Sequence, residues 1–164
     1  MKKIILISIV FTIMSACNNS KKQEVNTQEI KHNIKKFQEK RALKLAKNNG
    51  FDSTKIDSLS QIKTTIQIEH QSFDFGKIKE GEILKKDIIY TNTGKNPLII
   101  FSAFGSCGCT VPTYSKKPLL AGESATLHIE FNSENRKGNN TKTVTIFANT
   151  EPALNKIDFT VQVN

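Results

Sequence analysis

The stretch Leu127-His128-Ile129-Glu130-Phe131 decides the fold, because its apolar and polar residues alternate strictly. Side chains of a β-strand point alternately to the two faces of a sheet, so this pattern predicts a strand with one buried face. Ile157, Phe159, Val161 and Val163 repeat the alternation near the end of the sequence. We therefore expect an all-β domain in the C-terminal part of the chain.

Several other segments, on both sides of this stretch, are also predicted to be strands. Leu98–Phe104 is almost continuously apolar, which predicts a strand that is covered on both faces. Segments rich in Gly, Pro and Asn separate the strands and favour turns. About seven strands with regular turns predict an antiparallel, immunoglobulin-like β-sandwich over residues 64–164. The remaining predicted strands are Ile66–Gly76, Leu84–Tyr90 and Val144–Ala148, and a polar loop is predicted over Asn132–Thr141.

The first residues have the pattern of a secretory signal. A basic start at Lys2 and Lys3 precedes an apolar run over residues 4–14, which is too short to span a membrane. We predict a signal peptide of the lipoprotein type over residues 1–16. Cys17, which follows two small residues, resembles the cysteine of a bacterial lipobox, although Met14 stands where Leu is usual.

The lipobox resemblance implies that Cys17 is lipidated. The acyl chains would hold the protein on a membrane of the cell envelope, with the domain facing the periplasm or the cell exterior. The alternative is an ordinary signal peptide with a free or buried Cys17.

Residues 17–63 are predicted to contain the lipidated cysteine, a basic amphipathic helix and a linker. Helical spacing runs from Val25 to Gly50, with Asn26 as the expected cap and Gly50 as the expected stop. Phe51–Lys63 has no clear period and is interpreted as a linker, with room for one short helical turn.

The predicted helix has an apolar stripe and a lysine-rich face. Ile30, Ile34, Phe37 and Leu45 share the stripe. One interpretation places the helix on anionic lipid headgroups or on a protein partner. The other, which we favour from the sequence, is a solvated spacer helix whose stripe rests on the β-domain.

The charge distribution argues against a nucleic-acid partner. Residues 17–63 contain eleven Lys/Arg and five Asp/Glu, whereas residues 64–164 contain eleven and ten. The β-domain is therefore nearly neutral and lacks the clustered positive charge that phosphate-backbone binding needs. No hydrolase or phosphate-binding motif occurs, and Asp74 and Glu80 are expected to bond turn backbone. We predict no catalytic activity and no cofactor.

The segment Cys107-Gly108-Cys109 allows several chemical interpretations. A disulfide would need a bent backbone, which Gly108 permits. Two thiolates would also suit Cu(I) or Zn(II), with His128 and His70 as candidate further ligands for zinc. The remaining alternatives are a pair that carries out thiol–disulfide exchange and a pair of free thiols. Cys107 and Cys109 are thus candidates for either a disulfide or a metal site, and no particular metal is assigned to them.

A joint pattern of motifs resembles bacterial domain-of-unknown-function family 1573 over roughly residues 66–163. It is carried by the segments 73–82 (FDFGKIKEGE), 90–94 (YTNTG), 106–112 (SCGCTVP), 131–133 (FNS) and 149–150 (NT), with Pro118 and Ala121-Gly122-Glu123. The family is similar to the immunoglobulin-like domains of major sperm protein and of cilium-associated proteins, and many members are secreted or lipidated. The resemblance implies the fold but assigns no activity.

These observations predict a membrane-anchored lipoprotein whose immunoglobulin-like module binds or scaffolds an envelope protein, with exposed strand edges as its partner surface. The alternative is a metal-handling or thiol-redox protein that uses the Cys107-Gly108-Cys109 loop.

Overall fold

The computed structural model describes residues 27–164. The predicted signal peptide, Cys17 and the predicted cap at Asn26 lie outside these residues. Within them the chain forms two helices and eight strands. These elements are α1 (Thr27–Asn48), α2 (Ser53–Ser60), β1 (Ile66–Ile68), β2 (Ser72–Ile78), β3 (Ile83–Asn92), β4 (Ile100–Gly105), β5 (Thr110–Thr113), β6 (Ser124–Asn132), β7 (Gly138–Ala148) and β8 (Leu154–Val163).

The strands form two four-stranded sheets, in the orders β1-β3-β6-β5 and β2-β8-β7-β4. The main core lies between them, where Phe131 of one sheet meets Phe159 of the other with ring centroids 5.7 Å apart. The alternating strands behave as predicted, since Leu127, Ile129 and Phe131 are buried while His128 and Glu130 are exposed. The predicted two-sheet sandwich is confirmed.

Two details of the strand prediction were wrong. Ile66–Gly76 was predicted as one strand, but the chain changes sheets after Ile68, and β2 then pairs with β8 in parallel. All other strand pairs are antiparallel. The predicted loop Asn132–Thr141 is shorter than expected, because β7 already begins at Gly138. Polar Asn139 and Thr141 pair there with polar residues of β8, so the segment joins the sheet without an apolar pattern.

The predicted basic helix is confirmed over the residues described, and Gly50 follows it with a left-handed φ of +86°. The segment interpreted as a linker contains a second helix, α2, whose start is capped by the Asp52 side chain. Its short length explains why no period was visible, since Ile56 is its one fully buried residue. In the part of the chain described here, no helix is long and apolar enough to cross a membrane.

Both helices pack on the outer face of β4. Phe101 of that strand is fully buried against Ala46 and Ile56, with Phe51 packed edge-on at 5.4 Å. This second core explains the continuous apolar run of Leu98–Phe104, because helices cover one face and the main core covers the other. We call β2-β8-β7-β4 the covered sheet and β1-β3-β6-β5 the open sheet.

Candidate functional site

The cysteine loop joins β4 of the covered sheet to β5 of the open sheet. The sulfur atoms of Cys107 and Cys109 lie at disulfide-bonding distance, with Cα atoms 5.2 Å apart, which is within the range that disulfides accept. Cys109 is buried in the main core, whereas Cys107 is half-buried at its margin. The pair therefore fixes one end of the sandwich and presents one sulfur toward the surface.

Backbone contacts hold the loop on both sides. Ser106 donates its amide to the Thr143 carbonyl at 2.7 Å, and the Thr143 amide donates to the Ser106 hydroxyl at 3.2 Å. The Thr110 hydroxyl lies 3.8 Å from each sulfur atom. These contacts bind the loop to β7 and leave Gly108 as its exposed tip.

The glycine that the loop requires is Gly105, not Gly108. A Cβ atom at Gly105 would meet the Thr110 carbonyl oxygen at 2.5 Å, whereas one at Gly108 would have no atom within 4 Å. Gly108 also avoids the left-handed region, so the bend between the cysteines does not depend on a glycine.

The structure does not bring the candidate histidine ligands to the cysteine pair. Nδ1 of His128 lies 2.6 Å from Asp87 on the exposed face of the open sheet, opposite Thr113. Cys109 is at the other end of β5, where its carbonyl accepts from the Asn132 amide. Within residues 27–164, no group of three or more His, Cys, Asp or Glu is arranged to hold a metal ion.

His70 and the two singled-out carboxylates have local partners. His70 Nε2 lies 3.8 Å from Glu69, and its ring packs edge-on against Phe73. Asp74 accepts from the Gly76 amide at 3.0 Å, as expected of a turn residue. The side chain of Glu80 lies 3.5 Å from the Lys137 ammonium.

The outer face of the open sheet carries exposed charged and apolar side chains. Lys85 and Glu130 form an ion pair of 2.9 Å across β3 and β6, beside the pair of Asp87 and His128. Three large apolar side chains share this face and are about half exposed: Ile83, Ile89 and Val111. We call this surface the open face.

Three of the strand edges that the sequence predicts as a partner surface are short or interrupted: β1 and β5 in the open sheet and β2 in the covered sheet. β1 has three residues, β2 has an irregularity between Asp74 and Lys77, and β5 contains Pro112, which has no amide to donate. A signal for the open face existed in the sequence, since adjacent Ile88 and Ile89 cannot both point into the core.

Polar side chains hold the ends of the sandwich and the helices together. Asn149 donates to the carbonyls of Ile62 and Pro97 at 2.7 and 2.9 Å and accepts from the Ile99 amide at 2.8 Å. Asn92 accepts from the Thr64 hydroxyl at 2.7 Å. Both asparagines belong to the motif segments 90–94 and 149–150, and their structural role was not identified from the sequence.

Tyr114 links the region after β5 to the end of α1. Its hydroxyl accepts from the Asn49 amide nitrogen at 3.0 Å and from Lys116 Nζ at 3.0 Å. Burial, and then the neighbouring Tyr90, raises the pKa of Tyr114 to about 12. Burial also lowers the pKa of Lys116. The phenol therefore stays neutral far above physiological pH.

Comparisons with known proteins agree with this architecture. The sequence model of a family described as "Protein of unknown function (DUF1573)" matches residues 66–163. No curated protein matches the chain.

Solved structures with the same fold have low sequence identity. A protein of unknown function from Porphyromonas gingivalis W83 is 18% identical with a TM-score of 0.53, over 61% of this chain and 47% of that one. This chain thus spans about half of that protein. The ASH/PapD-like domain 7 of human CEP192 is 13% identical with a TM-score of 0.50, over 62% of this chain and 87% of that one. The immunoglobulin-like fold predicted from the sequence is confirmed.

Proposed function

We propose that this chain, which belongs to the DUF1573 family, is a lipid-anchored binding module of the cell envelope. The family match covers the sandwich and not the helices. Cys17 carries the lipid, residues 18–63 connect it to the sandwich, and the sandwich binds an envelope protein without catalysing a reaction. The domain faces the periplasm or the cell exterior.

The observation that carries this proposal is the composition of the open face. Protein interfaces combine apolar contacts with polar groups and paired charges. Ile83, Ile89 and Val111 supply the apolar contacts, and Lys85 and Glu130 supply a charge pair of balanced sign. A surface of balanced charge suits a protein better than it suits nucleic acid or an anionic lipid surface.

Photo-crosslinking in intact cells tests the binding surface. A photoreactive amino acid at Ile89 should give a covalent adduct of one defined mass in the native organism. The matched control at Lys77, which is exposed on β2 of the covered sheet, should not give that adduct. Glu130→Lys should abolish the adduct at residue 89. Equal adducts at both positions, or none at residue 89, would refute the proposed surface.

The mass of the native protein tests the anchor separately. Protein extracted from membranes should begin at Cys17 and carry the mass of its acyl chains. Cys17→Ser should move the protein from the membrane fraction to the soluble extracytoplasmic fraction. A native chain without acyl mass would refute lipid anchoring and leave the crosslinking result unaffected.

The accessibility of the cysteine pair favours thiol–disulfide exchange as a second candidate function. Cys107 is half-buried whereas Cys109 is buried, so an external thiolate could attack the Cys107 sulfur and release Cys109 as a thiolate. If binding is the function, Cys107→Ser/Cys109→Ser should lower the Tm and keep the adduct at Ile89. Loss of a thiol-reductase activity with the adduct intact would support exchange instead.

A further inference from the structure

Helix α1 has one side on the sheet and another side that is turned away from it. Ala42 and Ala46 are fully buried, and the Ser102 hydroxyl donates to the Ala42 carbonyl at 3.0 Å. At 100° per residue, Phe37 and Lys44 lie on the opposite side of the helix from these alanines. The docked and undocked sides of α1 are therefore well defined.

The undocked side combines exposed apolar and basic groups. Phe37 is 68% exposed and Leu43 is 39% exposed, and both border one surface depression together with lysines. We call this surface the outer α1 face; its residues are Lys36, Phe37, Lys40, Leu43, Lys44 and Lys47. The apolar stripe predicted to rest on the β-domain does so only toward its C-terminal end, because Ile30 and Ile34 are also exposed.

The charge of α1 is strongly one-sided. The helix contains seven Lys/Arg and two Glu. Among the described residues, no carboxylate forms a salt bridge with Lys36, Lys40 or Lys44. The Lys85–Glu130 pair of the open face has no counterpart here, so the positive charge is available to an anionic ligand.

We propose that the outer α1 face lies on an anionic membrane surface. Lysines bind lipid headgroups while exposed aromatic and aliphatic side chains enter the boundary of the acyl region, which is the arrangement of interfacial helices. Each lysine near such a surface contributes about 1 kcal/mol of attraction. Phe37 supplies an apolar contact, and Lys36 and Lys40 beside it supply headgroup contacts on the same side of the helix.

The position of α1 in the chain supports this occupant, and this step rests on the proposed lipid at Cys17. Thr27 begins the helix ten positions after Cys17. Ten residues span at most about 35 Å when fully extended, so the helix cannot lie far from the bilayer. Contact through α1, which covers one sheet, leaves the open face on the opposite side of the sandwich, turned away from the lipid.

Tryptophan fluorescence on the full-length protein purified from native membranes tests the proposal. The chain has no Trp, so Phe37→Trp and the control Ile89→Trp each introduce a single probe. We expect brominated lipid to quench Trp at position 37 in vesicles containing phosphatidylglycerol, but not in pure phosphatidylcholine. The probe at position 89 should stay unquenched in both.

Removing two charges should weaken the contact by a defined amount. In the Phe37→Trp background, Lys40→Gln/Lys44→Gln should lower the ratio of membrane-bound to free helix about 30-fold, because two lysines contribute about 2 kcal/mol. No quenching at position 37, equal quenching in neutral vesicles, or equal quenching at position 89 would each overturn the proposal. An unmodified Cys17 would refute lipid anchoring alone, because the comparison between the two probes and lipids would still test α1.

Discussion

The outer faces of the two sheets have different surroundings, although each sheet has four strands and both share the main core. On the covered sheet, α1 and α2 bury Phe101 completely, and α1 turns a lysine-rich side outward. On the open sheet, Ile89 remains about half exposed beside the Lys85–Glu130 ion pair and the hydrogen bond between Asp87 and His128. This difference separates residues that stabilise the fold from residues that are available to partners.

Truncating Phe101 should produce the largest loss of stability. Phe101→Ala opens a cavity between β4 and both helices, and such changes cost about 3–5 kcal/mol of unfolding free energy. The matched control on the open face, Ile89→Ala, should change stability by less than about 0.5 kcal/mol. Urea denaturation of both variants measures the difference. Equal losses would mean that the helices do not stabilise the sandwich.

Removing the Asn149 side chain should give the next largest effect. Asn149→Ala leaves the Ile99 amide and the Ile62 and Pro97 carbonyls without these bonds, and we expect a loss of about 2–3 kcal/mol. Asn155→Ala is the control, because that side chain is half-exposed and bonds near the β7–β8 turn. It should lose less than about 1 kcal/mol.

Chemical denaturation would measure both asparagine variants, and hydrogen exchange would locate the change. Exchange in Asn149→Ala should rise most between α2 and β4. A uniform increase over the open sheet would contradict the role of Asn149 in joining the helices to the covered sheet.

Alanine substitutions at the two glycines of the cysteine loop should have different effects on the unfolding free energy, and this is the next smaller effect. Gly105→Ala places a methyl group against the Thr110 carbonyl, which we expect to cost about 1–3 kcal/mol. Gly108→Ala meets open space and should stay within about 0.5 kcal/mol of the parent protein. Thermal unfolding with the cysteines oxidised gives this comparison. A larger loss at Gly108 than at Gly105 would contradict the close approach of Gly105 to Thr110 as the cause.

Local patterns predicted the strands well and the long-range contacts poorly. The alternation of Leu127–Phe131 depends on neighbours two positions apart, so the sequence displays it directly. The apolar run Leu98–Phe104 predicted two covered faces, and both are covered. The sequence could not say what covers the second face, because α2 is too short for its single buried residue, Ile56, to establish a period.

The errors share a physical cause, which is pairing between residues far apart in the chain. β2 pairs in parallel with β8, so Ser72 meets Asp158, and no local pattern distinguishes that from a continued first strand. Asn149 bonds to the Ile62 carbonyl, 87 positions away. At the candidate site, the spacing of Cys107 and Cys109 predicted their proximity, whereas the need for Gly105 depends on its approach to Thr110 in the folded chain.

Titration of Tyr114 should have the smallest effect and tests the junction between α1 and the region after β5. Burial raises its pKa to about 12, above the ordinary tyrosine value of about 10, so the neutral phenol is favoured in the native state. The stabilisation is complete below pH 10, where both states are protonated, and is lost as the pH rises through about 12. The unfolding free energy should therefore fall between pH 10 and pH 12, and this fall should be smaller in Tyr114→Phe. Part of the fall should remain in the variant, because the pKa of Tyr90 is raised as well. Urea titrations at several pH values measure this slope, and an unchanged slope in the variant would mean that the junction does not exclude water from the phenol.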